Sequence, residues 1–274
     1  IELLRRDTVT NARYFENRIR HLINFMLNRV NGPFSANPII DYYWRVEFQT
    51  RGSPHIHMMI WNKNTPVYDR FRPHCQSNLD SVKFIDRYIT AQNPISGFVE
   101  EDMNAYESSE EASKYAQVKV PISFQRHLHR FNCLVDSANQ GVKICKYGYP
   151  WPILDETLIL EPLHEEHKSK EREYKFLFTQ VREELNKIVD ERKQSIKNGL
   201  PFEEVDQNSF LQRLSITFVD YILALRSSIK NTKVFLKRSS ADIMINPYMK
   251  EIYVRHRGNM DIQFITDAGG VVSY

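Results

Sequence analysis

Residues 42–61 read YYWRVEFQTRGSPHIHMMIW, and the fold is decided there. The stretch parses as two strands joined by a polar turn, Thr50-Arg51-Gly52-Ser53-Pro54, whose Gly, Ser and Pro favour a chain reversal. Strand side chains alternate between faces, so Glu47 and Gln49 share one face of the first strand. His55 and His57 share one face of the second, while Ile56 and Met58 point the other way. Paired, the strands bring two imidazoles and two oxygen-bearing side chains toward one point, the donor set for a divalent cation. A pair of partly exposed strand histidines is the plainer alternative, and spacing alone leaves both open.

The chain around this stretch has 274 residues, 42% hydrophobic and 26% charged, with a formal net charge of +3. That suits one large or two smaller soluble domains, and the mild basicity alone announces no nucleic-acid partner. Three cysteines do not make a disulfide framework and point to a reducing compartment. No apolar run approaches the ~20 residues of a membrane span, and no signal-peptide pattern opens the chain. No glycine-rich phosphate loop ending in Gly-Lys-Ser/Thr is present, so no ATPase motor is expected here.

Before the strands, Ala12, Phe15, Ile19, Leu22, Ile23, Met26 and Val30 recur at helical spacing after Thr8 and Thr10. They predict one amphipathic helix, ended by Asn31-Gly32-Pro33, with its stripe covering the histidine-bearing strands. After them, short helices are expected from about Asn78 and over 108–117. A long helix follows Lys168, marked by Leu177, Val181, Leu185 and Ile188. A second helix through Leu211, Leu214, Phe218, Tyr221 and Leu225 is expected to fold back on it. Strand-like text returns at 233–238 and 261–265.

His127, His129, Cys133 and Cys145 form a second cluster, H-x-H-x3-C-x11-C. Two imidazoles and two thiolates are a structural zinc set, able to hold a small module that lacks an apolar core. Segment 118–165, rich in Pro, His and aromatics without periodicity, fits that reading. Exposed histidines beside buried free thiols are the alternative. Cys75 stands apart and reads as structural.

Three stretches resemble the amino-terminal replication-initiator domain of Helitron transposons, the helitron helicase-like region. They are residues 42–61, RHLHRFNC through CKYGYPWPILDETLILEPL (126–163), and VFLKRSSADIMINPYMK leading to GNMDIQFITD (234–267). Members are HUH endonucleases, whose signature is His, a hydrophobic residue, His. The resemblance implies that His55 and His57 hold Mg2+ or Mn2+, with Gln49 the first choice for third ligand and Glu47 the second. It implies a tyrosine nucleophile for single-stranded DNA soon after DIQFITD, a position that Tyr274 occupies. The run Ala268-Gly269-Gly270 departs from the family there. The resemblance further implies a longer parent protein with a helicase domain, working in the nucleus.

The expected fold is α+β: an antiparallel-sheet HUH core flanked by helices, with an inserted small zinc-binding module and a helical hairpin. The expected parts are residues 1–117 and 231–274 for the core, 118–165 for the zinc insertion and 166–230 for the hairpin. Arg51, Lys146, Arg255 and Arg257 are candidate DNA contacts. The expected function is single-stranded DNA nicking and strand transfer. The alternatives are a non-catalytic single-stranded DNA-binding fragment or an inactive transposon remnant.

Overall fold

The computed structural model describes residues 7–48, 54–73, 75–92, 125–131, 133–136, 143–256 and 258–266. Helices and small antiparallel sheets mix in an α+β arrangement divided into two units. One unit comprises residues 1–67 with 249–257, the other 68–248 with 258–274.

In the first unit, α1 (Thr8–Leu27) begins at Asp7 rather than at the threonines. The Asp7 carboxylate accepts the Thr10 N–H at 2.9 Å, and that bond holds its pKa below the ordinary carboxylate value. Ile19, Ile23 and Met26, spaced one turn apart, are buried, whereas Val30 lies beyond the helix and is exposed. The stripe does not chiefly cover the strands. The main packing of α1 is against the last helix, α6 (Lys250–His256). There the Arg255 guanidinium lies 4.0 Å from the centroid of Phe25, and Arg18 donates to the His256 carbonyl. Asn28 turns the chain: its side-chain oxygen accepts the Val30 and Asn31 N–H groups at 2.9 Å each. A Cβ at Gly32 would lie 2.2 Å from the Asn28 carbonyl oxygen, so only glycine fits this turn.

The chain then enters β1 (Ile39–Phe48), which pairs antiparallel with β2 (Pro54–Asn62). Facing pairs run from Asp41–Trp61 to Phe48–Pro54, after an irregularity between Ile39 and Asp41. A two-stranded ribbon is marginal by itself. Its open end is tied by side-chain amides, Asn62 Nδ2 to the Asn37 carbonyl at 2.8 Å and Asn37 Nδ2 to the Lys63 carbonyl at 3.3 Å.

In the second unit, α2 (Gln76–Tyr88) starts where predicted, with Cys75 at its N-cap position. The short hairpin β3 (Leu134–Asp136) and β4 (Lys143–Cys145) comes next, then β5 (Leu158–Leu160). The spine is α3 (Glu171–Lys197), whose Val181, Leu185 and Ile188 are buried in one cluster with Ile153, Phe210, Tyr221 and Leu225. The expected second helix is two. Ser215, at φ 54°, ends α4 (Gln207–Leu214), and α5 (Phe218–Ser227) starts afresh on a Thr217–Asp220 capping box. Of the two, α5 packs more extensively on α3.

The predicted strand at 233–238 pairs over β6 (Lys233–Phe235), against β5, and again at a single antiparallel bridge between Arg238 and Leu154. Residues 261–265 form no strand. The Ile262 N–H bonds to the Pro247 carbonyl at 3.2 Å. The predicted helix at 108–117 lies outside the described residues.

One half-buried cation ties α3 to the segment after β4. Arg182 donates to the carbonyls of Gly148 at 2.6 Å, Tyr149 at 2.7 Å and Pro150 at 3.4 Å, and burial lowers its pKa. Arg182→Met would keep most of the volume and strand these acceptors, each unmet bond costing about 1–3 kcal/mol. A loss of about 3 kcal/mol in denaturant unfolding is expected; a loss below about 1 kcal/mol would mean solvent satisfies the carbonyls instead.

Candidate metal centres

The β1–β2 register sets the first centre. Glu47 faces His55 directly and His57 diagonally, and the two-residue repeat puts all three side chains on one face. Glu47 Oε2 lies 2.8 Å from His57 Nε2 and 3.7 Å from His55 Nε2, and the two Nε2 atoms are 3.1 Å apart. The rings meet edge-on at a centroid distance of 4.9 Å.

These separations suit a shared cation. Two nitrogens each about 2.1 Å from one ion, at octahedral to tetrahedral angles, stand about 3.0–3.4 Å apart. The 2.8 Å contact alone also describes a carboxylate bonded to a protonated histidine; a third donor within 4.8 Å of both is what extends the fit to an ion. The side chains are partly open to solvent, His55 and His57 at 35% and 36% exposure and Glu47 at 53%, which leaves room for a ligand. His55 Nδ1 is buried with no partner among the described residues, so the outer hydrogen bond that usually orients a metal-bound imidazole is missing from them.

Gln49, Arg51, Arg257 and Tyr274 lie outside the described residues. Of the other DNA candidates, Arg255 covers Phe25 and Lys146 Nζ sits 5.0 Å from the centroid of Tyr147. Sequence reading overlooked Arg45, which faces His57 across the ribbon and shares the face of Glu47. Strand alternation backward from Glu47 was the signal for it.

Comparison with known protein families bears on this ribbon. Residues 2–60 match the Helitron helicase-like domain at N-terminus. The matched segment contains α1, β1 and both histidines of β2. No curated protein and no solved structure matches the chain. Among the described residues no helix is long and apolar enough to cross a membrane.

The second centre lies outside the Helitron-matched segment, in the second unit. Cys133 and Cys145 flank the β3–β4 hairpin, fixed by Leu134 facing Cys145 and by the Lys146 N–H bonding the Cys133 carbonyl at 2.8 Å. His127 and His129 approach from the preceding segment, anchored by the His127 N–H on the Met244 carbonyl at 2.7 Å. Cys145 Sγ is 3.4 Å from His127 Nε2, and Cys133 Sγ is 3.7 Å from His129 Nδ1.

A sulfur and a nitrogen on one tetrahedral zinc, at about 2.3 and 2.1 Å from it, would be about 3.6 Å apart. All four donors fall within 4.8 Å of one another. Burial, then the neighbouring His129, pushes His127 down to about 4, and burial first lowers His129 as well. Both rings are therefore neutral at pH 7 and keep a lone pair to donate. His127 also stacks on Tyr149 at 4.2 Å and 11°, which fixes the ring.

Proposed function

We propose that this chain is the DNA-cleaving module of a Helitron-type transposase, acting in the nucleus beside a helicase domain. In this reading it is a metal-dependent endonuclease for single-stranded DNA with a tyrosine nucleophile. The observation that carries the proposal is the meeting of Glu47, His55 and His57 on paired strands inside the Helitron-matched segment. These three would hold magnesium or manganese, and two nitrogen donors favour manganese. Such an ion, when bound, draws charge from the non-bridging phosphate oxygens and so eases attack at phosphorus.

Arg45 adds positive charge to the same face. Tyr274 supplies the nucleophile: its phenolic oxygen bonds phosphorus while the bond to the 3′-oxygen breaks. The phenol, with a pKa of ~10, gives up its proton as it attacks, and the departing 3′-oxygen takes one up. The 5′ end remains as a phosphotyrosine ester, ready for transfer to another 3′-hydroxyl. A structural zinc on His127, His129, Cys133 and Cys145 would hold the second module in shape.

Incubating the chain with labelled single-stranded DNA and manganese is expected to give an adduct stable to SDS. Chelator or Tyr274→Phe should abolish it. An adduct that survives both would exclude this reading. Salt-sensitive binding with no adduct in any metal would favour a non-catalytic single-stranded DNA-binding module, the second reading, which the basic hairpin surface supports.

A further inference from the structure

The outer surface of the β3–β4 hairpin is unusual for a small folded element. Phe131 is 94% exposed and Tyr147 55% exposed. Val135 and Ile144, which face each other across the two strands, are 42% and 41% exposed. Phe131 has almost no protein contact to offset its hydration cost, while Tyr147 meets the His127 ring edge-on at 5.9 Å and leaves its other side open.

Charge accompanies these rings. Residues 125–149 contain Arg126, Arg130, Lys143 and Lys146 against a single carboxylate, Asp136, a net +3 that equals the formal charge of the whole chain. Lys146 Nζ lies 5.0 Å from the centroid of Tyr147, so cation and ring are presented together. Arg130 immediately precedes Phe131 in the sequence.

We infer that this surface is a docking platform for single-stranded DNA, with Phe131 and Tyr147 stacking on bases and Arg130 and Lys146 meeting phosphates; Lys143 faces Asp136 on the other side of the hairpin. The inference rests on the proposed function only for its choice of DNA as the strand. The charge complementarity stands on the residues themselves. A protein partner would be served by the apolar patch but would leave the clustered cations unmatched. A duplex hides its base faces and would leave the rings without a surface to stack on. Unstacked bases and a phosphate backbone match both features at once. The platform is separate from the Glu47–His55–His57 centre in sequence and unit. It binds the strand and does not cut it.

Fluorescence anisotropy with a labelled oligothymidylate on the whole chain tests this. Phe131→Ala combined with Tyr147→Ala is expected to raise Kd at least tenfold, since each stacked base is worth about 1–3 kcal/mol. Arg130→Ala and Lys146→Ala together should flatten the slope of log K against log salt by about 1.4, at ~0.7 per phosphate contact. All four positions are exposed, and affinities are compared only for variants that keep the parent zinc content and melting temperature, since the Tyr147 ring meets His127 edge-on at 5.9 Å.

Unchanged affinity in correctly folded variants overturns the inference. So does tighter binding to duplex DNA or to the matching RNA, or parent binding that ignores salt. A parent that binds but forms no adduct would sink the nuclease reading and leave the platform standing. Adduct formation that persists in the four-residue variant with undiminished affinity would do the reverse.

Discussion

His57→Ala is expected to cut manganese-dependent adduct formation by more than about a hundredfold. Changes in the outer shell of a metal site already cost 10–100-fold, and His57 makes the shortest contact in the cluster, 2.8 Å to Glu47. The effect should appear in metal binding as well as in activity. Isothermal titration with manganese should show one site in the parent and none in the variant, while unfolding curves change little because the ring is partly exposed. The same titration decides the third ligand. Glu47→Ala should abolish manganese binding nearly as fully as His57→Ala, and Gln49→Ala should weaken it less than about tenfold. A variant lacking Glu47 that binds manganese normally would give the third position back to Gln49. A variant lacking His57 that still forms adducts at the parent rate would remove the metal reading altogether.

That choice between Glu47 and Gln49 shows what the sequence could and could not decide. Period-two alternation and the Thr50–Pro54 turn were enough to predict two paired strands and to put His55 and His57 on one face. Alternation also puts Glu47 and Gln49 on a common face, so it cannot rank them. Register puts Glu47 opposite His55, and Gln49 lies outside the described residues, so the titration is what ranks them. The four residues of the second cluster were legible from their side chains, but the hairpin joining the two thiols was not. Its strands have three residues each, too few for alternation to establish a register.

Elsewhere, continuous apolar text masked a break. Leu214, Phe218, Tyr221 and Leu225 read as one stripe, although Thr217 and Asp220 form a capping pair three residues apart. The strand expected at 261–265 failed for a non-local reason: alternation supplies a strand's faces but not a neighbour to pair with. The packing of α1 on α6 joins residues more than two hundred positions apart, and no local pattern encodes it.

Cys145→Ser is expected to strip zinc from the protein and loosen the hairpin. Elemental analysis of the parent should find about one zinc per chain, and the serine variant less than about a tenth of that. Sulfur is the donor that distinguishes this site, and a serine hydroxyl is a poor replacement because it stays protonated near neutral pH. Structural zinc contributes about 10–16 kcal/mol in isolated finger peptides. The share here should be smaller, because the His127 N–H on the Met244 carbonyl and the ring stack on Tyr149 hold part of the module without metal. The three-residue strands have no such support, since Val135 and Ile144 are exposed and only Leu134 and Cys145 turn inward. Limited proteolysis should therefore cut the variant between Cys133 and Cys145 while the α3–α5 core stays protected. Chelator added to the parent should reproduce that pattern, and added zinc should reverse it. Cys75→Ser supplies the contrast: its sulfur lies at the N-cap position of α2, outside the four-donor cluster, and zinc content should not change. Parent protein with less than about a fifth of an equivalent of zinc, or equal zinc in the Cys145 and Cys75 variants, would mean that the two thiols are buried for packing alone.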